Sequence, residues 1–593
     1  MRPLGLAPVL LCLSASVPVS TLAQKAPTTN RYGNPATLKP APTTSAITVR
    51  DLQIRLYQFA DDSMMGRQVG RLGNKMGTDY IAAEVKRLGL LPAGDNGGYF
   101  QVLPFHLRKF TVNSRVTVDG NPLLWNVDVV AIAGDAAPRP IVDADVIFGG
   151  TIGASDSQIT AEQAAGKFVV MMPSPSAAPA GGRGGGTPPS PFPGAAAVAT
   201  IDLDNLSLAQ RAALNEPTVA SPSGGGARGG RGGAPGAAPV DSLALLKAQL
   251  AALQPQARLR ISTTAAARLF ARTTFDGVAV GAKGGKVNGA LEFVDMPSEF
   301  ARNVIAVIPG SDPVLKHQYV AVGGHNDHVG FATPVDKDSI KVFNDQRIRW
   351  QIANNMQSPP IDVTTRFVVN MDSIRKIHPK ARIDSINNGA DDDGSGSMAV
   401  LEIAEAVMAM PVKPKRSMIF IWHTGEERGL DGSAHFVRNP TVPLDSIVAQ
   451  LNVDMIGRGR AEDLPGGGDD YVGVVGSFFD SKDLGETVKT VNQKRAKPLT
   501  LDYKFDDPIA WAGYNNIYAR SDHYNYARAG VPIAFFFTGL HGDYHQRSDE
   551  PEFIDYPHYA KIATYIKELT VEVANGPRPQ LNGTKPAKPR KIG

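Results

Sequence analysis

Four short apolar runs restrict the architecture of this chain more than any other feature. Tyr319-Val320-Ala321-Val322, Met418 to Trp422, Leu451 to Val453 and Ile533 to Phe537 are short and apolar, with β-branched and aromatic residues among them. Each is too short for a buried helix and reads as a strand with both faces covered. Asn303 to Pro309 reads the same way, and Ser397 to Met410 has helical spacing. Strands alternating with helices predict an α/β domain with a mixed, mostly parallel central sheet and helices on both faces. Just past the runs come His325, Glu426-Glu427, Asp454 and, a few residues further on, His545, while Asp391 opens Asp391-Asp392-Asp393-Gly394-Ser395-Gly396 ahead of the helical segment. Open α/β sheets place their sites at the carboxyl ends of strands, where these residues fall.

The residue types point to a metal centre. Histidine nitrogen mixed with carboxylate oxygen suits zinc better than calcium or magnesium. His325, Asp391, Glu427, Asp454 and His545 are the expected ligands of two Zn2+ ions. Two metals roughly 3.5–4 Å apart share a bridging group, a task suited to a carboxylate, and Asp391 is the expected bridge. Each ion then takes one histidine and one further carboxylate. A separate carboxylate must accept a proton from the attacking water, and Glu426, beside Glu427 but not needed as a ligand, is the expected general base. Asp327, two residues after His325, is expected to orient that imidazole. Taken singly, each of these acids is also an ordinary cap or solvated loop residue; their conjunction at strand ends favours the metal reading.

At this point the sequence resembles a known family. Gly323-Gly324-His325-Asn326-Asp327-His328-Val329-Gly330, Asn388 to Gly396, Gly425-Glu426-Glu427-Arg428-Gly429-Leu430-Asp431-Gly432-Ser433 and Asn452-Val453-Asp454-Met455-Ile456-Gly457 resemble the co-catalytic zinc aminopeptidases, relatives of glutamate carboxypeptidase and the transferrin receptor. Ser521-Asp522-His523, Gly530-Val531-Pro532, Asp543-Tyr544-His545 and Ser548-Asp549-Glu550 extend the likeness, which runs from about residue 48 to 572. The resemblance implies one zinc on His325 and Asp454, another on Glu427 and His545, Asp391 between them and a cis Asp391–Asp392 peptide. It also implies a substrate role for two phenols. Tyr518 and Tyr544 each match a tyrosine placed near the scissile carbonyl, where a pre-placed donor steadies an oxyanion; both are equally readable as packing residues. Met455 is expected to line the substrate side, and His523 to make a structural hydrogen bond. Phe505-Asp506-Asp507 is a weaker candidate for contact with a substrate amine.

Composition narrows the setting. With 42% hydrophobic residues and a net charge of +4 over 593 residues, the chain has material for two or three domains, and implies neither a nucleic-acid nor an anionic-membrane partner. Arg2, the apolar stretch Leu4 to Val17 and Thr21-Leu22-Ala23 read as a cleavable signal peptide over 1–23, hence a secreted or periplasmic protein with no stable membrane anchor. Cys12, the sole cysteine, lies inside that segment behind the bulky Leu11, which disfavours a lipid anchor and leaves the mature chain without thiol chemistry or disulfides.

Residues 24–46 read as a flexible leader and 47–127 as the start of the peptidase domain, with helical spacing in Val49 to Ala60 and Thr78 to Leu88. From 128 to 295 short β-rich runs (Val127 to Ile132, Ala144 to Phe148, Lys167 to Met172) resemble an inserted protease-associated domain. Its tracts Pro173 to Ala197 and Ala220 to Pro239 are too poor in apolar surface to order themselves; the Arg228 to Gly233 repeat inside the second reads as a loop rather than an RNA-binding tract. The zinc domain is expected over 296–572 and a basic tail over 573–593. Between Gly330 and Asn387 lies an insertion longer than the resemblance implies, with helical readings at Asp336 to Asn354 and Asp372 to Pro379; it reads either as a surface ornament or dimer contact, or as a lid. The expected activity is removal of N-terminal residues from peptides. Three alternatives stay open: a carboxypeptidase using Arg458, Arg460 or Arg520 for the terminal carboxylate, a one-zinc cyclase, and a silent binding protein. Nothing in the sequence fixes the oligomeric state or the preferred terminal residue.

Overall fold

The computed structural model describes residues 32–583 apart from 112, 133–137, 153–157, 174–191, 207–210, 212–216, 221–255, 355–366 and 507–515. The signal-peptide reading, the Arg228 to Gly233 repeat, Asp507 and most of the two low-complexity tracts lie outside the described residues.

The central sheet has nine strands. Six matter for the site: β1 (Arg302–Ile308), β2 (Tyr319–His325), β3 (Ser417–His423), β4 (Ile447–Val453), β5 (Tyr471–Val475) and β6 (Ile533–Phe537). They lie side by side in the order β1, β3, β2, β4, β6, β5. The inner four, β3, β2, β4 and β6, are parallel, and β1 and β5 run antiparallel to them. The expected strands are all present, within a few residues at their ends.

Strand residues alternate between two cores, so both faces are covered. Val304, Val320, Val322, Phe420, Trp422, Leu451 and Val453 face helices α1 (Val49–Phe59), α3 (Gly396–Met408) and α6 (Tyr556–Asn575). Ile305, Ala321, Ile419, Ile421, Ile533 and Phe535 face the opposite way, with Phe436 and Tyr526 from α4 (Asp431–Arg438) and α5 (His523–Arg528). Helix α1 is further tied to α3 by Arg55, which is fully buried and pairs with Glu402 and Glu405.

A second sheet of eight strands has a hydrophobic core of its own around Val116, Val146, Phe168, Val170, Leu259 and Ile261. It includes the expected strands at Val129–Ala131, Ile141–Thr151 and Phe168–Met172, and also Arg115–Val118 and Asn121–Leu123, ahead of residue 128. The insertion after Gly330 forms a two-stranded ribbon, Gly330–Asp336 with Ile383–Asn387, that carries α2 (Lys337–Asn354) and a short helix at Met371–Ile377. Helix α2 packs under the loop that carries His545. Lys341 Nζ lies 3.0 Å from Asp543, Asn344 donates to Ser548 at 3.1 Å, and Arg347 donates to the Gly542 carbonyl at 2.5 Å. The same helix walls a cavity of about 350 Å³ with Arg458 and Phe553, and none of the expected ligands lines it. No helix among the described residues is long and apolar enough to cross a membrane.

Candidate metal centre

The carboxyl ends of the parallel strands converge on one buried set of side chains. His325 is the last residue of β2, Glu426 and Glu427 follow β3, Asp454 follows β4, and His545 lies in the loop after β6. Residues 388–395 reach the same point ahead of α3. The approach is tight: a Cβ on Gly324 would sit 2.6 Å from both Asp393 Oδ2 and the Val453 carbonyl, so a side chain there would push the three segments apart.

The side chains fall into two groups that share Asp392. His325 Nε2 lies 3.1 Å from Asp392 Oδ1 and 3.7 Å from Asp454 Oδ1. His545 Nε2 lies 2.9 Å from Asp392 Oδ2 and 3.0 Å from Glu427 Oε1. His328 joins the second group, its Nδ1 2.9 Å from the same Glu427 oxygen and 3.8 Å from Asp392 Oδ2.

These atoms fit zinc on two observations. His325 Nε2, Asp392 Oδ2, Glu427 Oε1, Asp454 Oδ1, His545 Nε2 and both His328 ring nitrogens are buried without a hydrogen-bond partner, a condition native structures seldom leave uncompensated. The carboxyls of buried Asp327, Asp392, Asp393 and Asp454 and of half-buried Glu426 and Glu427 also outnumber the buried imidazoles of His325, His328 and His545. Divalent cations would offset that imbalance. The pull between rings and acids is strong: against burial, Glu427 and Asp392 push His545 up to about 10.

Two expectations move by one residue. Asp391 was expected to bridge, yet it lies outside both groups. Its carboxylate faces His541 Nε2 at 3.2 Å and accepts from Ser395 Oγ and the Gly457 N–H. Asp392 stands where a bridge is needed, and the cis peptide joins Asp392 to Asp393 rather than Asp391 to Asp392. Asp393, beside His325 and Asp454, accepts the backbone N–H of His325, Gly396 and Met455, and so braces β2, α3 and the Asp454 loop. Three adjacent aspartates thus point three ways, each captured by partners distant in sequence.

The remaining ligands are braced in turn. His325 Nδ1 lies 3.0 Å from the Asp327 carbonyl, while the Asp327 carboxylate accepts the N–H groups of Gly425 and Glu426. Asp327 therefore orients the imidazole through its backbone and the Glu426 loop through its side chain. Ser521 Oγ donates to Asp454 Oδ2 at 2.7 Å, which leaves Oδ1 for His325. Asp549 accepts the N–H groups of Asp391 and Asp392. Buried Arg67 donates to the Asn388 and Gly389 carbonyls, tying the N-terminal segment to this loop. Ser521 and Asp549 sit in segments quoted above for the family resemblance, but nothing in their spacing identified their roles.

Glu426 lies outside both groups. Burial, with Glu427, Asp454 and Asp522 adding to it, holds its carboxyl well above the usual carboxylate range against the pull of His325. It lines a cleft with Asp392 and Asp454, whose other walls are Met455, Ile517, Phe535, Phe537, Leu540, Arg520 and Tyr544. Tyr544 stacks on the His545 ring at 3.8 Å and its hydroxyl lies 3.3 Å from Arg520 Nη2. Tyr518 does not reach this cleft: its hydroxyl donates to Asp480 at 2.8 Å, among apolar neighbours. His523 pairs with the Tyr518 carbonyl and stacks on Phe535, a structural role as expected. Asp506 accepts from Ser477 and the Phe479 N–H, so it too is held away from the cleft. Arg458 pairs with Asp543, and Arg460 with Asp555.

Residues 303–570 match peptidase family M28. Leupeptin-inactivating enzyme 1 of Streptomyces exfoliatus is 32% identical over 162 residues, 27% of this chain and 32% of that protein. Leucine aminopeptidase 1 of Fusarium vanettenii is 28% identical over 193 residues, 31% of this chain and 46% of that protein. The chain thus spans less than half the length of these two relatives. The solved structure of BSAP, a zinc aminopeptidase from Bacillus subtilis, aligns over 92% of this chain and 98% of that one, with 16% identity and a TM-score of 0.47. The match over residues 303–570 takes in every one of the candidate ligands at the strand ends, and that part of the chain is similar to peptidase family M28.

Proposed function

We propose that the protein is a zinc-dependent aminopeptidase that releases N-terminal residues from peptides. The observation that carries this reading is the pair of orphaned ligand groups joined through Asp392, with Glu426 beside them and not among them. His325, Asp392 and Asp454 would hold one Zn2+, and Asp392, Glu427 and His545 the other. When bound, zinc supplies the positive charge that acidifies water and polarises a carbonyl.

The chain's own groups do the rest. The Glu426 carboxylate takes a proton from the attacking water and passes it to the nitrogen that leaves. Its raised affinity for protons suits both halves of that transfer. The Tyr544 hydroxyl, at the cleft wall, is placed to donate to the oxygen on which charge develops. Met455, Ile517, Phe535, Phe537 and Leu540 make an apolar wall, which favours an apolar terminal side chain; the leucine aminopeptidases among the relatives support that preference. We read the eight-stranded sheet as a protease-associated domain and the N-terminal segment as an export signal.

A second reading, carboxypeptidase activity, rests on Arg520 in the cleft wall. Hydrolysis of free and N-acetylated dipeptides and aminoacyl anilides, with chelator and with zinc restored, decides between them. Cleavage of free-amine substrates alone, lost on chelation and restored by zinc, is expected. Cleavage of acetylated dipeptides overturns the aminopeptidase reading, and activity that survives complete zinc removal overturns both.

A further inference from the structure

The two ligand groups are unequal, and the difference lies in His328. This residue follows Asp327 in the Gly323 to Gly330 segment but was not among the expected ligands. The residue is 1% exposed, and neither ring nitrogen has a hydrogen-bond partner. Nδ1 nevertheless lies 2.9 Å from Glu427 Oε1, and the ring meets His545 edge-on at 5.4 Å between centroids. The ring's place is made by Gly389, whose φ is +56° and where a Cβ would sit 2.5 Å from the His328 ring carbons. Its backbone is pinned as well, the His328 N–H donating to the Arg67 carbonyl.

We propose that His328 is a fourth protein ligand of the Glu427–His545 site, which closes that site and leaves the open position on the His325–Asp454 side. The inference rests on the two-zinc reading above. The four atoms His328 Nδ1, Asp392 Oδ2, Glu427 Oε1 and His545 Nε2 are separated by 2.9, 2.9, 3.0 and 3.8 Å along the measured edges. Four ligands about 2.0–2.1 Å from a tetrahedral zinc stand about 3.3 Å apart, the middle of that range. A zinc with four protein ligands has the closed shell of a structural site, whereas three ligands leave a position for water or substrate. The cleft agrees independently. Its walls include Asp454, the shared Asp392 and Glu426, but none of His325, His328, Glu427 or His545, so the side that reaches it is that of Asp454. Substrate therefore approaches the side with three ligands, and the closed side acts as a fixed charge that also orients Asp392.

The test is Co2+ titration of metal-free full-length protein, followed by visible absorption and by metal analysis after gel filtration. Wild type is expected to bind two Co2+, each contributing to the visible spectrum. His328→Ala and His328→Gln are expected to weaken one site by more than about 100-fold, beyond the 10–100-fold typical of groups that merely brace a ligand. They should also alter the bands contributed by that ion, as loss of a nitrogen ligand does, while the other Co2+ binds as before and shows that the variants fold. Two Co2+ bound by both variants with wild-type affinity and spectrum overturns the proposal and leaves the two-metal reading intact. Fewer than two Co2+ bound by wild type overturns both.

Discussion

Glu426→Gln separates acid–base chemistry from metal binding at a single site. The substitution keeps shape and removes the ability to take a proton. The loop should hold, because its N–H groups at Gly425 and Glu426 are fixed by Asp327, independently of the side chain. Neither ligand group includes Glu426, so the metal content should match wild type. Removal of a positioned general base costs about 10²–10⁴-fold in rate, or ~3–5 kcal/mol of barrier. Stability should be unchanged or slightly higher, since burial disfavours the charge that is removed. The assay is kcat and KM on an aminoacyl anilide, with zinc per chain and Tm measured on the same preparation. Glu427→Gln is the contrast: it removes the charge from a ligand and should lose zinc and activity together. Turnover of Glu426→Gln within about threefold of wild type at full zinc content would refute the assignment, and zinc loss in that variant would refute the geometry.

Three further outcomes follow from individual contacts. Tyr544→Phe should lower kcat about 10²–10³-fold at unchanged zinc content, as loss of one oxyanion donor does, whereas Tyr518→Phe should leave kcat alone and cost ~1–3 kcal/mol by removing its hydrogen bond to the Asp480 carboxylate; steady-state kinetics and urea melts on both variants check this. Asp506, 7% exposed, is pushed up to about 6 by burial, with Asp480 adding to it. Its folded form prefers the proton, so its contribution is full below about pH 4 and falls as pH rises through 6, by roughly 2–3 kcal/mol. The unfolding free energy of wild type relative to Asp506→Asn, measured from pH 4 to 7.5, should fall over that window, and a flat difference would contradict it. Arg55→Met should cost ~3–5 kcal/mol, because Glu402 and Glu405 lose their cation where little water reaches them; adding Glu402→Met should recover part of that loss in thermal melts.

The insertion shows where pattern and structure part. Its helix over Lys337–Asn354 was legible from spacing and from Asp336 and Asp338 near its start. Its task was not. Read as a surface ornament or dimer contact, or as a lid, it grips the His545 loop through Lys341, Asn344 and Arg347, and none of its described residues lines the cleft. Those partners lie about 200 residues away in the chain, beyond the reach of local periodicity. Tyr518 and Tyr544 divide for the same reason. Each is a tyrosine beside a recognisable segment, and only their hydroxyl partners, Asp480 for one and Arg520 at the cleft for the other, separate packing from a place at the site.

Local sequence determined the strands, the helices and the kinds of ligand. An apolar run buried on both faces must be a strand in a covered sheet, and acids or histidines at its carboxyl end stand where such sheets open. His325, Glu426, Glu427, Asp454 and His545 could be named on those grounds alone. Tertiary structure decided which aspartate joins them. Asp391, Asp392 and Asp393 are chemically identical neighbours, so composition and spacing cannot rank them. His541 and Gly457 capture the first, the backbone amides of β2, α3 and the Asp454 loop capture the third, and the middle one is left facing both sets of imidazoles. His328 was hidden for the same reason: space beside Gly389 and closeness to Glu427 exist only once segments far apart in the chain have packed, and that contact, not residue type, is what makes it a candidate ligand.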